Sequence, residues 1–244
     1  AKGYGWADSE KKIPATPTSL FRIASISKPV TAVAVLKLVE DKKLSLDARA
    51  FDIVRAEPVL KNGRQPDPRL ARITVRQLLQ HTGGWDRDAS FDPMFRPGTI
   101  ATTLSVEAPA KPEHIFRHMM TRKLDFDPGQ RYAYSNHGYC LLGRVIEQLT
   151  KQDYESFMKA AVLAPAGIKR MQIGRTTVDL QAKGEVKYYM ADNATADAVF
   201  PSIKQRVPWP YGGFYREAMD AHGAWIASAV DLVRFAAAFD DPAK

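Results

Sequence analysis

Apolar positions along the chain fall into short alternating runs near the start and into three- and four-residue steps further on. Residues 3–8 alternate aromatic and small side chains, which predicts a short strand. Residues 11–18 are polar and proline-containing, a turn region, and residues 20–23 form a second short apolar run. From Ser25 to about Asp41 the period becomes helical. Val30, Val33, Leu36, Lys37 and Glu40 recur at helical steps, while Ala32, Ala34 and Leu38 fill other faces. A helix apolar on several faces is a buried one. Pro29 falls in its first turn, where a missing N–H costs little. Thr74 and Gln77 form a capping-box pattern ahead of Leu78 and Leu79, and Gly83-Gly84 ends that helix.

Residues 86–111 show little periodicity and several prolines, and read as a long loop. A short helix is expected over residues 112–120, and a turn at Asp127-Pro128-Gly129. Residues 138–150 carry a stripe of Tyr139, Leu142, Val145, Ile146 and Leu149; residues 154–163 predict another helix. Residues 177–213 are irregular, with one short strand expected at 186–190. Ser228 and Asp231 box the start of a last helix over Leu232, Phe235, Ala236 and Phe239. With no repeat and no linker, residues 1–244 read as a single domain.

Composition narrows the class. Of 244 residues, 45% are hydrophobic and 25% charged, a globular balance. No apolar run approaches the roughly 18 residues of a membrane span. The net charge of +8 is spread over scattered pairs such as Lys11-Lys12 and Lys42-Lys43, so it reads as a solvated surface with no nucleic-acid partner. Cys140, the only cysteine, excludes an intrachain disulfide and sits among Tyr139, Leu141 and Leu142 as a core thiol. His114 and His118 have ligand spacing but no third ligand, so no metal is expected, and no cofactor. The chain begins at Ala1 with no signal peptide in its first residues, which reads as processing, excision or truncation.

The chemistry centres on Ser25-Ile26-Ser27-Lys28. A serine hydroxyl is a weak nucleophile near neutral pH and needs a base beside it. Residues three apart at a helix start share a face, so Ser25 and Lys28 project together, while Ser27 points about a hundred degrees away as a supporting residue. The helix start adds free N–H groups and a dipole that favour an oxyanion. Burial lowers a lysine's pKa and makes it a proton acceptor. The bland alternative is a capping serine and a surface lysine. Downstream, in Tyr134-Ser135-Asn136, alternate side chains of an extended segment face one way. A phenol and an amide are then offered together, to shuttle a proton and to hold a substrate carbonyl or the lysine. The alternative there is a turn tyrosine with an asparagine cap before the next helix.

Together these stretches resemble the serine beta-lactamase-like superfamily, which takes in class C beta-lactamases, D-alanyl-D-alanine carboxypeptidases and lactamase-fold esterases. The resemblance runs in order through residues 20–32, Leu44-Ser45-Leu46-Asp47, and residues 73–84, 127–143 and 223–235. It implies an α+β fold, an antiparallel sheet flanked by helices plus a helical region. It also implies Ser25 as acylated nucleophile, Lys28 and Tyr134 as base or proton relay, and Asn136 as a substrate-positioning amide. His81-Thr82-Gly83 carries the letters of the family's third motif but precedes Tyr134, so it reads as a helix-ending turn. His222-Gly223-Ala224 reads as part of the turn before the last helix. By the resemblance the chain is truncated at both ends, lacking an N-terminal helix and strand and the C-terminal strands with the third motif. Trp85 is a candidate for the cleft rim, and His137 is expected to face away from the site. Residues 209–215, aromatic around a glycine pair, either touch substrate or pack as an ordinary loop.

The expected activity is acyl-enzyme hydrolysis of an ester, amide or D-Ala peptide bond in a small molecule or peptide, in the periplasm or outside the cell as the resemblance favours. The competing expectation is a catalytically silent binding or regulatory module on the same fold. Oligomeric state is not encoded in these patterns. Ser25→Ala is predicted to abolish acylation by an active-site probe, whereas Ser27→Ala retains turnover. Mass spectrometry of probe-treated protein checks this, and an adduct on Ser27, or on neither serine, refutes it.

Overall fold

The structure is a computed structural model that describes residues 1–55 and 65–240. Its strands are β1 (Trp6–Asp8), β2 (Ile13–Pro14), β3 (Phe21–Arg22), β4 (Gln172–Ile173), β5 (Thr195–Asp197), β6 (Arg206–Pro208) and β7 (Trp225–Ala227). Its helices are α1 (Ser27–Glu40), α2 (Ala50–Ile53), α3 (Val75–Leu79), α4 (Pro97–Leu104), α5 (Pro112–Met119), α6 (Asn136–Thr150), α7 (Tyr154–Met158) and α8 (Ala229–Phe239). The fold is α+β, antiparallel sheets with flanking helices.

The central sheet orders its strands β3-β7-β4, both pairs antiparallel. Register sets Phe21 opposite Ala227 and Gln172 opposite Ile226. β7 is buried throughout, because Trp225, Ile226 and Ala227 lie under helices as well as between strands. The β1–β2 hairpin and the β5–β6 pair are separate two-stranded ribbons. α1 packs along α6, and the core gathers Val30, Ala34, Val35 and Leu38 of α1 with Cys140, Leu141, Leu142, Val145 and Ile146 of α6. Burial pushes the Cys140 thiol up to about 12, so it is an inert apolar group. Among the described residues no helix is long and apolar enough to cross a membrane.

Two expectations fail. Residues 86–111 are not one loop: they hold a short 3-10 turn at Pro93–Phe95 and helix α4. Each of these elements has a proline at its first position, where the missing N–H is harmless, and Asp92 caps the first by accepting from the Met94 N–H. No strand forms at residues 186–190. Val186 instead donates to the Leu20 carbonyl beside an isolated bridge, and the Tyr188 N–H donates to the Tyr211 hydroxyl. The strands of that region are β5 and β6. α6 also starts two residues earlier than its stripe suggests, because Ser135 is its cap and accepts from the Gly138 N–H.

Behind the sheet, three elements meet on one phenol. Tyr154 of α7 hydrogen-bonds Thr31 of α1 at 2.6 Å and accepts from Trp225 Nε1 of β7 at 3.1 Å. Thr31 also lies 2.6 Å from the Ala221 carbonyl, to which it can donate. All three side chains are buried, so an unmade bond here has no water to replace it. Tyr154→Phe orphans the indole N–H and is expected to destabilise the fold by about 1–3 kcal/mol. Urea denaturation checks this, and an unchanged midpoint refutes the account.

Candidate active site

The turn from β3 into α1 is tight. Ile23 is tied to β7 by its N–H, which donates to the Trp225 carbonyl, and Ala24 takes a positive φ of 45°. A residue with a Cβ adopts that conformation only under strain. The turn exposes Ser25 while Ser27 and Lys28 go under. Ser27 is fully buried, and its Oγ accepts from the Trp225 N–H.

Lys28 is the hub. Its Nζ reaches four oxygens: Ser25 Oγ at 3.2 Å, Tyr134 Oη at 2.5 Å, Asn136 Oδ1 at 2.7 Å and the His222 carbonyl at 3.0 Å. Tyr134 Oη in turn donates to Ser25 Oγ at 2.5 Å. Serine, lysine and phenol thus form a closed triangle, drawn from the start of α1 and the start of α6. Asn136 is oriented from behind, since its Nδ2 donates to an Asp92 carboxylate oxygen at 2.6 Å. An amide held that way turns its oxygen toward the lysine.

The surroundings weaken the lysine's hold on its proton. Burial lowers Lys28 from its ordinary 10.5 to about 8; the Asp92 charge opposes this and the Arg87 charge assists it. Arg87 also stands 4.7 Å over the Tyr134 ring. On the phenol's flank His81 stacks at 4.7 Å, and its Nδ1 accepts from the Ser135 N–H. Burial, helped by the Lys28 charge, lowers His81 to about 4. The imidazole is therefore neutral, with its proton on Nε2.

Of the residues singled out in the sequence, Ser25, Lys28, Tyr134 and Asn136 come together. Trp85 does not join them. It is buried edge-on against His137 and lines a separate cavity with Asp67, Met119 and Asp125. The indole gains more by packing on a buried ring than by standing at a rim. His137 is buried on that side too, facing away from the cluster, and burial lowers it to about 3.

Sequence reasoning passed over three residues. His81 does end a helix, at φ 58°, but its ring also stacks on the Tyr134 phenol. Asp92 was hidden in the supposed loop, although Asp-Pro is a legible cap signal. His222 was set aside as a turn residue; the turn leads into β7, and its backbone carbonyl is a lysine ligand, a role no side-chain pattern reveals.

The chain belongs to the Beta-lactamase family, which it matches over residues 1–243. It is 37% identical over 153 residues to the probable fimbrial assembly protein FimD, serogroup H1, of Dichelobacter nodosus, covering 62% of this chain and 35% of that protein. Among solved structures it superposes on the D-amino acid amidase of Ochrobactrum anthropi SV3, complexed with L-phenylalanine amide, with a TM-score of 0.70 and 26% identity. That match covers 97% of this chain and 60% of the amidase. The octameric penicillin-binding protein homologue from Pyrococcus abyssi gives a TM-score of 0.68 at 27% identity, over 96% of this chain and 48% of that one. The chain thus spans about a third of the length of the curated relative and about half or a little more of the solved ones.

The Lys28 environment sets a pH dependence. The amine accepts a proton only when neutral, and its neutral fraction grows as pH rises through about 8. Acylation should therefore climb with pH and level off above that value. Asp92→Asn removes a charge that raises the lysine's pKa and should move the limb to lower pH; Arg87→Gln should move it up. Stopped-flow acylation profiles check both signs. A limb that ignores both variants would assign the titration to another group.

Proposed function

We propose that the protein is a serine hydrolase that works through an acyl-enzyme on Ser25, cleaving an ester, amide or D-Ala peptide bond. The observation that carries this is the triangle of Ser25 Oγ, Lys28 Nζ and Tyr134 Oη, closed by contacts of 3.2, 2.5 and 2.5 Å.

Ser25 Oγ attacks the substrate carbonyl carbon. Its proton passes to the Lys28 amine, directly or through the phenol, whose oxygen is 2.5 Å from both partners. The turn ahead of α1 contributes N–H groups and dipole that favour the developing oxyanion. Collapse breaks the C–O or C–N bond, and the relay returns the proton to the leaving oxygen or nitrogen. Ser25 is then acylated. Water attacks the acyl carbon, gives its proton to the same relay, and releases the acid with Ser25 restored. Lys28 and Tyr134 act as one relay here, with Asn136 fixing the lysine.

Kinship supports the same reading. The Ochrobactrum relative is an amidase, and the Pyrococcus relative a penicillin-binding protein homologue. Such kinship also favours a place in the periplasm or outside the cell, with a small molecule or peptide as substrate.

Lys28→Ala and Tyr134→Phe should each slow acylation by about 10²–10⁴-fold, the range of a lost acid or base. The double variant should be little worse than either single one, because groups acting as a unit do not add. Single-turnover assays on folded variants check this. Rates near wild type in both would overturn the proposal.

A further inference from the structure

Ser25 opens on one side into a cavity of about 360 Å³ that the relay does not use. Its walls carry the rings of Phe95, Tyr188, Trp209 and Phe214, with Met190 and Met219 beside them. Phe214 is the centre of the cluster, 4.6 Å from the Trp209 ring and 6.2 Å from that of Phe95. Residues from three separate stretches of chain therefore converge on one apolar space beside one nucleophile.

The same cavity is touched by Ser25, Asn136 and His222, but not by Lys28 or Tyr134. That asymmetry orients a substrate. The leaving group must lie beside the Tyr134 phenol to receive its proton, so the ring-lined space falls to the other half of the molecule. Two arginines also border it. Arg22 is committed elsewhere: it is bonded to Glu185 and to the Pro210 carbonyl, and lies 4.2 Å over the Tyr188 ring. Arg216 is buried, donates to the Ala224 carbonyl, and stands 5.9 Å from the Phe214 ring. Neither fills the space.

We propose that this cavity holds the acyl substituent of the substrate, and that the preferred substrates carry a compact, uncharged aromatic acyl group. The inference rests on the acyl-enzyme reading above and deepens it. Ligand cavities span about 300–1,000 Å³, and this one, near the lower end, has room for a single ring on a short arm. Trp209 and Met190 at its exposed edge admit the ring, and buried Met219 forms part of its deeper wall.

The test uses p-nitrophenyl esters, which share one leaving group. The wild-type chain should hydrolyse the phenylacetyl ester with a kcat/KM at least about tenfold above that for the acetyl ester, the scale at which an apolar pocket discriminates. In Trp209→Ala and Phe214→Ala that ratio should fall toward one, through KM more than kcat. A flat ratio in the wild type, or a preference for the charged succinyl ester, overturns the proposal; the second result would give the cavity to Arg216. Fluorophosphonate labelling of Ser25 in the same samples separates the two claims. Labelling without discrimination defeats the pocket alone, and absence of labelling defeats the hydrolase reading. Binding of phenylacetamide against acetamide to Ser25→Ala, read by ligand-observed NMR, tests the pocket without turnover. Tighter binding of the phenyl compound that is lost in the Ser25→Ala, Phe214→Ala double variant supports it. Equal binding sinks it.

Discussion

A lysine sealed inside a protein is the constraint on which this site is built. Holding Lys28 at about 8 and not 10.5 corresponds to roughly 3 kcal/mol against its charged form. The molecule tolerates this because four oxygens surround Nζ. An ammonium has three N–H donors, so it finds a partner for each. A neutral amine has two donors and a lone pair. It can then keep Asn136 and the His222 carbonyl while its lone pair faces the hydroxyls of Ser25 and Tyr134. The same cage thus suits both protonation states, which a proton relay requires. Asp92 and Arg87 pull the balance in opposite directions, leaving the lysine near the middle of its useful range.

That cage imposes order on the fold. Its oxygens come from the turn before α1, the start of α6 and the turn before β7, so these three elements must keep register to about an ångström. β3 and β7 pair antiparallel and fix the first against the third. The Thr31–Tyr154–Trp225 cluster locks α1 to β7 from behind, one helical turn from Lys28. The strained Ala24 and the buried Ser27 belong to the same arrangement: the backbone is bent sharply so that one serine surfaces and its neighbour does not. Buried polar side chains near the site therefore act as alignment pins, and removing one affects position as well as stability.

The parts of this design that were legible in the sequence are those set by local spacing. Ser25 and Lys28 lie three apart on one helix, and Tyr134 and Asn136 lie two apart at a helix start, so each pair could be placed without knowing the fold. Caps at Thr74 and Ser228 were readable for the same reason, since their partners are three residues on. What could not be read is what the tertiary structure supplies. His81 reaches Tyr134 across 53 positions of sequence, and the contribution of His222 is a backbone carbonyl. Proline misled the reading of residues 86–111, because it breaks a helix interior yet suits a first turn. The strand expected at residues 186–190 failed because its N–H groups are claimed by a distant carbonyl and a distant phenol, which alternation in sequence does not report.

The cleft that results is divided by chemistry. On one side of Ser25 stand the amine, the phenol, Arg87 and the neutral His81, polar and titratable groups in mutual contact. On the other stand rings and thioethers with no part in proton traffic. The two halves are also built differently. The polar cluster is made from helix starts locked in the core, while much of the apolar wall comes from residues 188–214, a stretch with only two short strands. Irregular segments tolerate substitution because few backbone hydrogen bonds depend on them. Side chains of the wall can then change with little strain on Lys28, whereas a change among the cage oxygens alters the lysine, the serine and the fold together. On the proposed reading, the core would hold the reaction constant and the loop would set the choice of substrate.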